Sequence, residues 1–247
     1  MILYFSGTGN SLSVAEKLKT LLHEQTYCME KSPRGLPSLA DGEALGLVFP
    51  VYAWGLPRIV TDFLCEVNVG DRYVWAVMTC GDDMGYADSV LERVLRRKLN
   101  AAFSVQMPNT YVCLPGFDVD SPELAARKLD ATGKLLPAIA ESISAKEDCR
   151  KLTRGGTPWL KTYVLRPLFN RFLVTDKYFH ASADCTSCGL CARQCPLGDI
   201  GMASDRPSWK HHNCTGCLRC YHNCPKRAIE WGSFTKGKGQ KGFAFSV

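Results

Sequence analysis

Short apolar runs alternate with segments of helical periodicity through the first 145 residues. Met1–Phe5, Ala44–Val51, Tyr73–Thr79 and Ala101–Met107 are apolar runs short enough for buried strands. Between them, Asn10–Leu22 places Leu12, Ala15, Leu18 and Leu22 on one helical face. Leu56–Glu66 and Tyr86–Leu99 also read as helices, the first with Pro57 in its opening turn. Ser121-Pro122-Glu123 is a helix start, with Ser as N-cap and Pro at the first helical position. Ala125, Leu129, Leu136, Ile139 and Ile143 continue it, and Pro137 is expected to kink or break it. With a weaker strand near Thr26–Met29, the pattern predicts an α/β domain over residues 1–145: a doubly wound, five-stranded parallel sheet.

Periodicity then fades. Residues 146–180 are rich in Lys, Arg and aromatics and read as an interdomain strap. Within it, Trp159–Arg166 is a basic amphipathic segment, so contact with a membrane surface or a partner is the competing reading. Residues 181–232 form a small second module, and 233–247 a basic tail whose stretch from Lys236 to Gly242, rich in Gly and Lys, is expected to be mobile.

The small module holds an internal repeat. A shift of 29 residues superimposes Cys185, Cys188, Cys191 and Cys195 on Cys214, Cys217, Cys220 and Cys224, and Pro196 on Pro225. Both halves read C-x2-C-x2-C-x3-C-P, the spacing of two-cluster iron–sulfur proteins in which the fourth cysteine of each run ligates the other cluster. The expected ligand sets are Cys185, Cys188, Cys191 and Cys224 for one [4Fe–4S] cluster, and Cys214, Cys217, Cys220 and Cys195 for the second. The competing reading is a pair of zinc sites, but zinc modules usually carry separated C-x2-C pairs. The region resembles bacterial 2[4Fe–4S] ferredoxins, which are electron carriers.

Composition narrows the setting. Eight of thirteen cysteines are bunched in this repeat, which favours metal binding over disulfides. No apolar run reaches the roughly 20 residues that span a bilayer. No basic leader precedes an apolar stretch, and a cytoplasmic location is expected. Charge is uneven: residues 1–145 carry 13 Lys/Arg against 17 Asp/Glu, and residues 146–247 carry 17 against 7. The basic half fits an acidic redox partner protein, with a merely solvated surface as the bland alternative; no nucleic acid is expected.

The first strand runs into Ser6-Gly7-Thr8-Gly9-Asn10-Ser11, which opens a helix. Hydroxyls and backbone N–H groups there can hold a phosphate. The loop is neither a P-loop nor G-x-G-x-x-G, and its neutral donors suit a monoester phosphate bound by hydrogen bonds alone. Two further loops leave the carboxyl ends of strands, where α/β sheets bind ligands. One is Pro50 to Gly55, with Tyr52, Ala53 and Trp54; the other is Thr79 to Tyr86, with Cys80 and Gly81. Tyr52 or Trp54 could stack on a flat ring, and Tyr86 could cover its other face. Together these loops resemble flavodoxin. The whole chain is similar to the flavodoxin–ferredoxin fusion family of anaerobic bacteria (EFR-type ferredoxins). The resemblance implies FMN held by Ser6, Thr8, Gly9, Asn10 and Ser11 at the phosphate, and by Pro50–Gly55 and Thr79–Tyr86 around the isoalloxazine. The 109–121 loop, with Tyr111, can border the same site.

No histidine stands near these loops: His23 lies on the first helix, while His180, His211, His212 and His222 belong to the C-terminal half. Asp82, Asp83 or Tyr86 could donate protons, and Cys80 could be a reactive thiol, although loop acids more often form turns and a buried Cys is more often structural. The reading is an electron shuttle that couples two clusters to FMN. The alternative is an FMN-dependent reductase of a small molecule.

Overall fold

A computed structural model describes residues 1–31, 42–211 and 214–241. Strands β1 (Ile2–Tyr4), β2 (Thr26–Cys28), β3 (Leu45–Pro50), β4 (Val74–Cys80), β5 (Ala101–Gln106) and β6 (Cys149–Lys151) form one parallel sheet in the order 2-1-3-4-5-6. The first five reproduce the flavodoxin-like order, which switches direction between β1 and β3. Helices α1 (Asn10–Leu22) and α4 (Pro122–Ser144) pack together, as do α2 (Arg58–Cys65) and α3 (Ala87–Leu95).

Two cores follow from the alternation of side chains across the sheet. Leu3, Phe5, Leu47, Ala76 and Met78 face α2 and α3 through Val60, Leu64 and Leu91. Ile2, Val48, Trp75, Val77 and Phe103 face α1 and α4 through Val14, Leu18, Leu136 and Ile139. All seven residues of β4 are buried, as a central parallel strand requires.

Two expectations need correction. The sheet has six strands, not five. The added β6 is a polar edge strand without apolar alternation, so periodicity could not reveal it. Its Arg150 donates to Glu92 Oε1 at 2.5 Å and Asp88 Oδ2 at 3.4 Å on α3. Nor does Pro137 end its helix: α4 runs unbroken through it. An interior proline costs about 3 kcal/mol, but Leu136, Ile139 and Ile143 around it are buried, each at about 1.5–3 kcal/mol.

The strap is helical from Pro158 to Phe172, with a π-turn at Lys161–Leu165. Its inner face packs on the α/β domain. Trp159, Leu160, Val164, Leu165, Leu168 and Phe172 stay exposed on its outer face. The second module pairs β7 (Phe179–Ala181) with β10 (Ile229–Trp231), and β8 (Ile200–Ala203) with β9 (Arg206–Trp209), both antiparallel. A third core joins its Phe179, Ile200, Trp209, Tyr221 and Trp231 to Val112 and Cys113 of the first domain. No helix among the described residues is long and apolar enough to cross a membrane.

The tail, expected to be mobile, is tied down as far as Lys241. Lys238 Nζ donates to the carbonyls of Val112 and Leu114 at 2.7 and 2.6 Å, and Gly239 N to Asp118 Oδ1 at 2.9 Å. The remainder of that expectation, at Gly242, lies outside the described residues, as does His212.

Candidate functional site

The cysteines of the repeat assemble in two groups. Cys185, Cys188, Cys191 and Cys224 line one small cavity. Cys195, Cys214, Cys217 and Cys220 line another. Each run therefore contributes its fourth cysteine to the other run's cavity. The local reason is that each run enters a one-turn helix, Leu190–Arg193 or Arg219–His222, before its Cys-Pro pair. Gly189 and Leu218 precede those turns with left-handed backbone. Among the described residues no His, Cys, Asp or Glu group is gathered tightly around a single-ion position. Each four-cysteine set surrounds a space instead. Burial pushes the Cys217 thiol up to about 11, and ligation of a metal by the thiolate would reverse that shift.

A larger cavity, of about 470 Å³, opens at the carboxyl ends of β1, β3 and β4. Ser6, Thr8, Asn10, Ser11, Pro50, Tyr52, Ala53, Trp54, Thr79, Cys80 and Gly81, all expected on sequence, are in its wall. Ser11 and Thr79 hydroxyls lie 2.8 Å apart and tie the first loop to β4. Asn10 Nδ2 donates to Pro108 O at 2.8 Å. Gly7 threads between the second loop and the cysteine module: a Cβ there would stand 2.3 Å from Tyr52 OH and 2.8 Å from Cys217 O.

The second loop is a tight turn. Tyr52 N donates to Gly55 O at 2.9 Å, and Gly55 N to Tyr52 O at 3.1 Å. Its two central residues, Ala53 and Trp54, have φ of 45° and 58°. Left-handed backbone at non-glycine residues costs on the order of 1–3 kcal/mol each and concentrates at ligand sites. Trp54 thereby faces the cavity, with Lys161 Nζ 5.6 Å from its ring centroid.

Three expected residues fall elsewhere. Gly9 caps α1 and Gly55 closes the turn, both outside the wall. Tyr86 turns away from the cavity and stacks on Tyr163 of the strap, with centroids 6.0 Å apart and Arg154 over it at 4.4 Å. The cause is Thr162: its buried hydroxyl accepts from Tyr86 N at 2.9 Å and donates to Trp54 O at 3.3 Å. Lys161 also pairs with Asp83 at 2.6 Å. In place of Tyr86, Tyr111 from the 109–121 loop enters the wall, with Phe169 of the strap 5.7 Å away by centroid. Burial, reinforced by Asp83 and Asp82, pushes Cys80 up to about 12, so it is a neutral structural thiol. His222 is buried, donates from Nε2 to Thr110 O at 2.8 Å and accepts Lys241 N–H at Nδ1; burial lowers its pKa to about 4.

The far wall comes from the cysteine module: Phe179, Thr215, Gly216, Cys217, Leu218 and Trp231. Only the positions of the cysteines themselves were legible in the sequence. Phe179, Thr215, Cys217 and Leu218 line both this cavity and that of the second cysteine set.

The cavity suits a ligand with both apolar and polar parts. Its volume lies in the range that holds one cofactor-sized molecule. Among the described residues, Asn10 Oδ1, Asp83 Oδ1, Tyr111 OH and Thr215 Oγ1 are buried without a hydrogen-bond partner, and all four residues line it. Such atoms are costly unless a ligand or water engages them. A depression of about 670 Å³ at the opposite end of the sheet is bordered by Arg97, Lys98 and Arg150, whose charges already engage Glu92 or neighbouring carbonyls and amides.

The model of one protein family, described as a 4Fe-4S dicluster domain, matches residues 177–225. Comparison with curated proteins finds no significant match. Among solved structures, a candidate flavoprotein from Bacteroides uniformis ATCC 8492 is 17% identical, with a TM-score of 0.38, over 43% of this chain and 88% of its own. The flavodoxin of Streptococcus pneumonia TIGR4 is 16% identical, with a TM-score of 0.37, over 59% of this chain and 97% of its own. The Trp repressor binding protein of Bacillus subtilis is 12% identical, with a TM-score of 0.37, over 60% and 99%. These scores are low, and the fold assignment rests on the strand order. The molecule joins a flavodoxin-like α/β domain to a 4Fe-4S dicluster domain, the architecture of an iron–sulfur electron-transfer protein.

Proposed function

We propose that this chain is an electron-transfer protein carrying FMN and two [4Fe–4S] clusters, and that it docks to a partner protein with an acidic surface. The carrying observation is that Cys217, Thr215, Leu218 and Phe179 form a wall common to the second cysteine set and the large cavity. When bound, each cluster supplies one-electron chemistry and FMN supplies one- or two-electron chemistry.

Cys185, Cys188, Cys191 and Cys224 would hold the outer cluster, and Cys188 is exposed. Cys195, Cys214, Cys217 and Cys220 would hold the inner one, against the flavin. Four cysteines in each tight C-x2-C-x2-C-x3-C-P run, rather than separated C-x2-C pairs, together with the match to a 4Fe-4S dicluster domain, support clusters over zinc. Ser6, Thr8, Asn10 and Ser11 would bind the phosphate end. Trp54 and Tyr111 would flank the ring, and the strap, through Lys161 and Phe169, would shield it from water. Exposed Arg193 and Lys226 beside the outer set fit an acidic partner. We place the protein in the reducing cytoplasm, where the five cysteines outside the two sets would stay thiols.

The alternative, reduction of a small molecule, has one favouring observation: the buried, unpartnered Asp83 Oδ1 in the cavity wall could move a proton. Strictly anaerobic purification followed by analysis tests the main reading. The expected content per chain is about eight iron, about eight sulfide and one FMN. Zinc without sulfide, or FAD in place of FMN, overturns it.

A further inference from the structure

The phosphate loop was read above as purely neutral, with no Lys or Arg of its own. The fold supplies one from the far end of the chain. A Cβ built on Gly9 would stand 2.6 Å from Lys241 Nζ, so the ammonium sits directly against the residue that caps α1. Gly9 is glycine for two reasons: its φ of 102° and this contact.

The placement is electrostatically unfavourable as it stands. The N-terminus of a helix carries the positive end of its dipole and a first turn of N–H groups without helical acceptors. Lys241 adds a full positive charge there. The ammonium is partly desolvated, which lowers its pKa, and no carboxylate pairs with it among the described residues. A cation beside a helix N-terminus at close range is stabilised when an anion binds against both. The neighbouring side chains fit a ligand at this point. Thr8, Asn10 and Ser11, on either side of Gly9, line the cavity there, so a phosphate held on this loop would lie within reach of the ammonium.

The lysine is held in place from below. Its own N–H donates to His222 Nδ1 at 3.0 Å, and His222 reaches Thr110 O on the other side. The preceding Gln240 Nε2 donates to Tyr221 O at 2.7 Å and Cys224 O at 3.3 Å. Residue 241 is therefore mounted on the helix that carries Cys220.

We propose that Lys241 binds the phosphate of FMN, so that the nucleotide is held jointly by the α/β domain and by the tail anchored on the dicluster domain. This rests on the FMN reading above and adds a cation to it. The phosphate ester is the group recognised, so FMN should be distinguished from riboflavin.

The test uses the full chain with its clusters intact. Dissociation constants for FMN and for riboflavin are measured by fluorescence quenching in the wild type, Lys241→Gln and Lys241→Arg. Loss of a charge-assisted hydrogen bond should weaken FMN about tenfold to a hundredfold in Lys241→Gln. Riboflavin affinity should stay unchanged, and Lys241→Arg should keep most of the FMN affinity. Unchanged FMN affinity in Lys241→Gln overturns the proposal. Equal weakening of FMN and riboflavin also overturns it, because Lys241 would then only prop the tail. A wild type that binds riboflavin and FMN equally well removes phosphate recognition altogether. A wild type that binds neither overturns the FMN reading itself.

Discussion

Arg219, next to Cys220 of the second cysteine run, donates from Nη2 to the carbonyl of Ser6 at 2.6 Å, although the two lie 213 residues apart in sequence. The same guanidinium donates through Nε to Gly7 O at 3.1 Å, through Nη1 to Gln194 O at 3.0 Å, and pairs with Glu30 at 2.7 Å. Arg219 and Glu30 are both largely buried. One side chain thus ties the phosphate loop, the edge beyond β2 and both cysteine runs together.

Arg219→Ala should therefore destabilise the joined domains severely. Removing one partner of a buried pair costs about 3–5 kcal/mol, since the largely buried Glu30 would be left without its partner. Chemical denaturation of the reconstituted protein measures this. Arg219→Lys should recover only part, because an ammonium cannot match the guanidinium fork. A loss below about 1 kcal/mol would show that water replaces the bracket.

The proposed crossed ligation would make the two cysteine runs interdependent. Cys195→Ser should disturb the cluster held by Cys214, Cys217 and Cys220, and Cys185→Ser the other. Paramagnetic resonance of the reduced variants separates the two centres. Damage to the same centre in both variants would mean that each run serves its own cluster, contrary to the grouping of the two cavities.

Acid should weaken the sheet edge through Glu92. Burial pushes this carboxyl up, but Lys98, Arg150 and the N–H of Leu99 outweigh that and hold it below its usual 4.5. A depressed carboxyl contributes stability above its unfolded value and loses it as pH falls through the folded one. Between pH 7 and 5 the contribution should be constant, and it should decline below about 4.5. Glu92→Gln should flatten this part of the stability profile in urea denaturation between pH 3 and 7.

Salt should slow docking. The association rate with an acidic redox partner should fall as ionic strength rises, because screening shortens the range of attraction. Arg193→Glu and Lys226→Glu, at exposed sites beside the outer cysteine set, should reduce both the rate and its salt dependence in stopped-flow measurements. A rate indifferent to salt in every variant would place docking elsewhere.

Tyr86 illustrates where sequence reasoning stopped. Its loop leaves β4 at the right end of the sheet, so an aromatic there was expected over the ligand. Thr162, 76 residues away, captures its backbone N–H, and Tyr163 and Arg154 capture its ring. Tyr111 fills the wall instead. On sequence alone its loop, 109–121, can border the site, but that loop is aperiodic and its position is decided only by packing against Phe169 of the strap. Pro137 does not break its helix for a similar reason: local propensity predicted a kink or a break, and burial of its neighbours against the sheet keeps α4 continuous.

What the sequence determined by itself is local and periodic. Apolar spacing specified the alternating elements of the parallel sheet, since strands buried on both faces need short apolar runs and helices need one apolar stripe. Cysteine spacing specified the dicluster module, since three thiols within seven residues can surround one cluster. What only the tertiary structure decided is which distant groups meet. The wall common to Cys217 and the cavity, the strap over Trp54, Arg219 under Ser6 and Lys241 at Gly9 join residues more than a hundred positions apart. Such contacts leave no period in the chain, because they depend on how two separately patterned modules dock rather than on how either one folds.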